Sequence, residues 1–244
     1  MAFQDNGKRM LLAGVQNDKI YQYTLKSGGT WAPFDVSTAS HSGTKFDPNP
    51  EINDWGITWS TDGTKLFVVD RSRSMILEYT LSAPYDVSEE TYAGNSERLD
   101  MSSQLDNAED LAFNTSGNTL FVLENEGDDM VIEYTCSTGY DVSTCSHASS
   151  DLTLFDGSGT NLDASDAFEF SSDGKTMFIA DPGNDLIQQY TLSTAWDVST
   201  ARHVDTFDIS SQEPNARGLA FGQNGNKLYV TGTSDTVWQY NLEP

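Results

Sequence analysis

The stretch Ser171–Ala201, SSDGKTMFIADPGNDLIQQYTLSTAWDVSTA, is spelled a second time, with changes, as Ser60–Ser88, STDGTKLFVVDRSRSMILEYTLSAPYDVS. In each, an Asp-Gly pair supplies the positive φ angles of a tight hairpin turn. A run of apolar, strand-favouring residues follows, Met177 to Ala180 and Leu66 to Val69, which fits a half-buried pleated surface. A third run then ends in Glu or Gln, Tyr, Thr, Leu. The same turn recurs at Asn6-Gly7, Ser116-Gly117 and Asn224-Gly225, so that successive turn glycines lie 56, 54, 57 and 51 residues apart. A short apolar strand precedes every turn. The third strand keeps its pattern in all copies: Ile20 to Tyr23, Ile76 to Tyr79, Val131 to Tyr134, Ile187 to Tyr190 and Val237 to Tyr240. A fourth strand follows in four copies, near Lys45, Arg98, Leu152 and Val204.

A meander of about 50 residues cannot bury both its faces alone. Copies set side by side around an axis can, and closing the ring leaves only short edges. The expected fold is therefore all-β: a five-bladed β-propeller of four-stranded antiparallel blades in one domain, 1–244. Blade limits fall near 1–54, 55–109, 110–166, 167–217 and 218–244. The last copy stops after its third strand, so the final blade is expected to be three-stranded. That makes Val237, Trp238, Gln239 and Tyr240 an edge, either open to a partner strand or blunted by Glu243 and Pro244.

The chain carries 37 acids against 13 bases, a formal charge of −24. Such a chain is repelled by nucleic-acid phosphates and anionic lipid. No apolar run reaches the ~20 residues of a membrane helix, and the first residues lack the order of a signal peptide. Neither nucleic acid nor membrane insertion is expected.

The phrases SSDGKTMFIAD (Ser171–Asp181) and GNKLYVTG (Gly225–Gly232) resemble YVTN-type and related lactonase-like propeller repeats. YTLSTAWDVSTA (Tyr190–Ala201) with FDISSQEPNARGLAF (Phe207–Phe221) is closer to propeller repeats of virion structural and tail-associated proteins of aquatic bacteriophages, and of some bacterial surface proteins. That resemblance implies a non-enzymatic virion or surface module, virion or extracellular in location. Its partners would be other virion or surface proteins, or copies of itself. Two alternatives stand beside it: a carbohydrate-binding propeller that recognises a host glycan, and a Ca²⁺-dependent lactonase-like hydrolase.

Residues repeated in register read as framework. His41, His147 and His203 each lie six residues after the Asp of a DVS phrase (Asp35, Asp141, Asp197). They belong to different blades, and no Ser-His-Asp set forms from them. Asp35, Asp86, Asp141 and Asp197 themselves read as turn caps. Gln22, Glu78, Glu133, Gln189 and Gln239, before each third-strand Tyr, read as hydrogen-bonding framework. Cys136 and Cys145 replace the Leu and Ala of other copies; they are either a disulfide or two buried thiols, and no zinc or redox spacing is present.

Residues that break the repeat carry more. The fourth-to-first-strand connections place Trp55, Glu109, Asp166 and Arg217 at one position of four blades, with Asp54 and Asp110 beside them. This end of the channel is the candidate ligand or partner site, where Trp55 suits a sugar face and the carboxylates suit Ca²⁺. No metal ligand set is assigned, since no EF-hand-like loop occurs. The second-to-third-strand turns at Asp70, Glu124 and Asp181 read as solvated tips.

Overall fold

The computed structural model describes residues 1–14, 19–48, 54–88, 90–92, 97–162, 164–222 and 225–242; of Asp54, Trp55 and 90–92 only the backbone is described. Five antiparallel sheets follow one another along the chain. Blade 1 holds β1 (Ala2–Gln4), β2 (Arg9–Gly14), β3 (Lys19–Ser27), β4 (Thr30–Trp31) and β5 (Ala39–Phe46). Blade 2 holds β6 (Asp54–Trp59), β7 (Lys65–Asp70), β8 (Met75–Leu81), β9 (Glu90–Tyr92) and β10 (Arg98–Asp100). Blade 3 holds β11 (Ala108–Phe113), β12 (Thr119–Glu124), β13 (Met130–Cys136), β14 (Cys145–His147) and β15 (Leu152–Thr153). Blade 4 holds β16 (Ala167–Phe170), β17 (Thr176–Asp181), β18 (Leu186–Leu192) and β19 (Ala201–Asp208); blade 5 holds β20 (Ala216–Gly222), β21 (Lys227–Gly232) and β22 (Val237–Asn241). The outermost strand is continuous in blades 1 and 4. In blades 2 and 3 it is split into β9 with β10 and β14 with β15, both pieces pairing with the third strand. This is the expected five-bladed propeller with a three-stranded last blade. Among the described residues β22 pairs only with β21, while Tyr240 meets Phe207 of blade 4 at 5.0 Å.

One device is written into four blades. Phe34, Tyr85, Tyr140 and Trp196, each just before the DVS Asp, have φ between 57° and 62°. Each ring lies on the turn glycine of its own blade, where an added Cβ at Gly7, Gly63, Gly117 or Gly174 would stand 2.3–2.5 Å from it. The glycine is thus required twice, by its positive φ and by the ring that covers it. The next Asp accepts a bond from the backbone N–H two residues on, at Ser37, Ser88, Ser143 and Ser199, which pins the turn.

The core lies in the seams between blades. Phe46 joins Leu66, Val68 and Tyr79 between blades 1 and 2. Met101 and Leu105 join Leu120 and Tyr134 between blades 2 and 3. Leu154 and Leu162 join Ile179 and Tyr190 between blades 3 and 4, and Ile209 joins Leu228 and Val230 between blades 4 and 5. Blade 5 meets blade 1 through Phe3, 4.6 Å from Tyr229, whose hydroxyl donates to the Phe34 carbonyl at 2.5 Å. The framework Gln and Glu also bridge blades: Gln22 donates to the Tyr85 carbonyl, and Glu78 accepts from Val142 N–H. In blade 3 Cys136 lies opposite Cys145 and the two sulfurs are bonded.

Candidate functional site at the channel mouth

The inner strands do not enter the ring straight. Their ladders slip between Asp54 and Ile57, between Ala108 and Asp110, and between Ala216 and Gly218. Each slip is a bulge, an extra residue that bends the strand and re-aims a side chain. The extra residues are Glu109 in blade 3 and Arg217 in blade 5. Asp166 stands at the same place in blade 4, its N–H bonded to Ala180 O just ahead of β16. Blades 3, 4 and 5 therefore each deliver one residue, Glu109, Asp166 and Arg217, to the same end of the channel.

Three of these residues meet in one network, with help from two turn residues. Arg71 Nε lies 2.5 Å from Glu109 Oε1, and Arg217 Nη1 lies 2.9 Å from Asp166 Oδ2. Asn125 Nδ2 donates to Asp166 Oδ1 at 3.2 Å, and Arg71 Nη2 donates to Asn125 Oδ1 at 3.5 Å. The two acids are sealed, with side chains 0% and 7% exposed, whereas Arg71 and Arg217 are 34% and 38% exposed. Burial lifts the Glu109 carboxyl to about 8, against the opposing pull of Arg71. Burial also raises Asp166, with Arg217 and Arg71 pulling it back. Beside Arg217 a groove of about 720 Å³ runs into the seam of blades 5 and 1, lined by Tyr21, Tyr23, Thr231, Thr233 and Asp235 among others.

Of the expected site residues the structure brings Glu109, Asp166 and Arg217 into one network and sets others apart. Asp110, next to the bulge, points away from the network. It accepts from Phe168 N–H and Leu111 N–H within the channel wall, and an added Cβ on Gly56 would stand 2.5 Å from its Oδ1. Burial lifts Asp110 to about 6. The side chains of Asp54 and Trp55 lie outside the described residues. Arg71 and Asn125 correct the reading of their turns as solvated tips: each reaches the acid at the inner strand of the next blade, Arg71 to Glu109 and Asn125 to Asp166. His41, His147 and His203 remain apart, each opposite the tyrosine of its own third strand.

The donor set tells what the mouth accepts. Each buried carboxylate already faces a guanidinium, so a divalent cation there would meet two positive charges at close range. The residues do not fit Ca²⁺, and the Ca²⁺-dependent form of the hydrolase expectation is set aside on that ground. The half-exposed guanidinium forks instead suit an anionic oxygen, which they bind in directed, charge-assisted bonds. A further trio of carboxylates, Glu78, Glu97 and Asp141, gathers at the outer seam of blades 2 and 3. Lys65 Nζ already lies 2.6 Å from Glu78 there.

No protein-family model matches the sequence, and no curated protein sequence matches it. Solved structures do. A candidate 6-phosphogluconolactonase of Bacteroides uniformis superposes with a TM-score of 0.53 at 18% identity, over 98% of this chain and 65% of that one. The periplasmic gluconolactonase of Pseudomonas aeruginosa gives 0.53 at 13% identity, over 99% and 65%. A chain of the nidogen–laminin complex gives 0.57 at 16% identity, over 96% and 73%. The chain thus spans about two thirds of the length of the two lactonase-type structures. The two lactonase-type likenesses correct the expectation of a non-enzymatic virion or surface module: enzymes share this architecture, and no tie to a phage emerges. The reason is physical: the YTL and DVS phrases that carried the phage resemblance are blade framework, which follows fold and not function. At identities this low what is shared is architecture, and the chain is a five-bladed β-propeller.

Proposed function

We propose that the chain is a lactonase-like hydrolase acting at this mouth. The observation that carries the reading is the pairing of two buried acids of different proton affinity with two half-exposed arginines, in a fold that lactonases share. Burial lifts both carboxyls, and of the two only Asp166 keeps any exposure at the mouth. Asp166, with Arg217 and Asn125 favouring its ionised form, takes a proton from water as the water oxygen bonds to the lactone carbonyl carbon. The electron pair displaced onto the carbonyl oxygen is stabilised by a guanidinium, Arg217 or Arg71. Asp166 then passes that proton to the ring oxygen as the ring C–O bond breaks, while Glu109, sealed behind Arg71, holds that guanidinium in place. The groove beside Arg217 provides room for the rest of the substrate.

The test is the hydrolysis of glucono-δ-lactone and its 6-phosphate by the purified chain, followed as acid release above the uncatalysed rate. Activity is expected, with Asp166→Asn and Arg217→Ala each losing about 100-fold or more. Folded protein that leaves both lactones at their background rate would refute the proposal.

A further inference from the structure

The other end of the channel holds a second chamber, of about 360 Å³, lined by Gln4, Trp59, Asp110 and Glu169, with Phe34 and Tyr85 among its aromatic walls. It is built from the inner strands and the turns that follow them; neither Arg71 nor Arg217 lines it, and it shares Met1 with the groove beside Arg217. Its volume is at the lower end of small-molecule sites, which run from ~300 to 1,000 Å³.

Its polar residues are departures from the repeat. Where blade 4 has Glu169, the other blades have Ala2, Thr58, Ala112 and Ala220. Where blade 3 has Asp110, blades 2, 4 and 5 have Gly56, Ala167 and Gly218. Trp59 stands where the others carry Phe3, Phe113, Phe170 and Phe221. Gln4 corresponds to Ser60, Asn114 and Ser171 in blades 2, 3 and 4. Those three are used up by their own turns, accepting from Lys65, Thr119 and Thr176 N–H. Gln4 is not: it is 3% exposed, and neither its Oε1 nor its Nε2 has a hydrogen-bond partner among the described residues. Trp59 Nε1 is likewise buried without one. Unmet polar atoms in a buried place cost stability, and nothing in blade building asks for them here.

We propose that this chamber binds a small uncharged polyhydroxylated molecule of monosaccharide size, held by Gln4, Trp59 and Glu169. A hydroxyl both donates and accepts, so a row of them can answer an indole N–H, both ends of an amide and a carboxyl. The aromatic walls suit the apolar face of a sugar ring, as in most small-molecule sites. Asp110 is already bonded to two backbone amides and shapes the wall. Burial lifts Glu169 to about 8, with Asp110 adding to the rise. It therefore keeps its proton at neutral pH, which favours a neutral partner over a metal ion.

The five indole N–H signals of the ¹⁵N-labelled chain report on this directly. Trp59 is identified by the signal lost in Trp59→Phe. The chain is titrated separately with D-glucose, D-mannose, N-acetylglucosamine and sorbitol. At least one of them is expected to shift the Trp59 signal saturably, and Gln4→Leu to weaken that binding about tenfold or more. Gln4→Ser, which installs the residue of blades 2 and 4, is expected to do the same while leaving the other indole signals in place. No saturable shift with any of the four, or a shift that both Gln4 variants leave unchanged, overturns the proposal. So does a shift with calcium chloride or methylammonium chloride alone, which would assign a cation site instead. The signal is read at the far end from Arg217, so its outcome is separate from that of lactone hydrolysis.

Discussion

Glu109→Gln should make the protein more stable in alkaline solution than the natural chain. Glu109 is buried against Arg71, and burial lifts its carboxyl from an ordinary 4.5 to about 8. In the unfolded chain the group ionises near its ordinary value. Between those two pH values the folded state therefore holds one more proton than the unfolded state. Stability must then fall as pH rises across that window. The full gap, at 1.36 kcal/mol per pKa unit, corresponds to a loss of ~5 kcal/mol, which water entering the mouth and movement of Arg71 reduce to roughly 2–5 kcal/mol. Glutamine has the same shape and does not titrate, so the variant escapes this loss. Glu169, Asp110 and the overall charge of −24 also depend on pH, but they are common to both proteins and cancel in the difference.

The assay is urea unfolding of both proteins at pH 5, 7 and 9, with stabilities compared at each pH. Near pH 5 the two should differ little; by pH 9 the glutamine chain should lead by roughly 2–5 kcal/mol. A difference that stays constant from pH 5 to 9 would refute the reasoning. A glutamine chain that instead loses ground as pH rises would mean that the Arg71 pair governs the site and holds the carboxyl down.

Gly174→Ala should cost about 2 kcal/mol or more, because its φ is +68° and the new Cβ would enter the Trp196 ring. Gly28→Ala, at φ +56° with nothing within 4 Å, should cost only about 1 kcal/mol; equal falls in melting temperature would sink the account of the ring-covered turn. Replacing Cys136 and Cys145 by the Leu and Ala of the other copies opens a cross-link between residues nine apart. Loop entropy predicts a loss of about 2–3 kcal/mol in urea unfolding under non-reducing conditions, and an unchanged midpoint would show that the bond adds nothing.

The blade frame is legible in one dimension because it is written over and over. Each turn glycine, each third-strand tyrosine and each DVS cap performs its task within a blade or against the next one. The mouth is legible only in part. Glu109, Asp166 and Arg217 stand out as departures at a shared position, but their meeting depends on bulges, and an alternating pattern has no place for an extra residue. That is why Asp110, one residue from Glu109, reads as its companion and yet bonds to Phe168 in the wall. Arg71 and Asn125 sit in turns whose composition is that of ordinary surface tips, and nothing local says that the ring sets those tips against the acids of the next blade.

The histidines and the chamber residues mark the two ends of this problem. His41, His147 and His203 look chemical and repeat in register, so rotation about the axis keeps them apart on the outer strands. Gln4, Trp59, Asp110 and Glu169 look unremarkable one at a time, each a single odd letter in a different copy. They lie on the inner strands, where the radius is smallest, so departures in separate blades line one chamber. In a closed ring of copies, then, two properties together decide where chemistry gathers: a residue's failure to repeat, and its distance from the axis. Glu109, Asp166 and Arg217 satisfy both at one end of the channel, and Gln4, Trp59 and Glu169 satisfy both at the other.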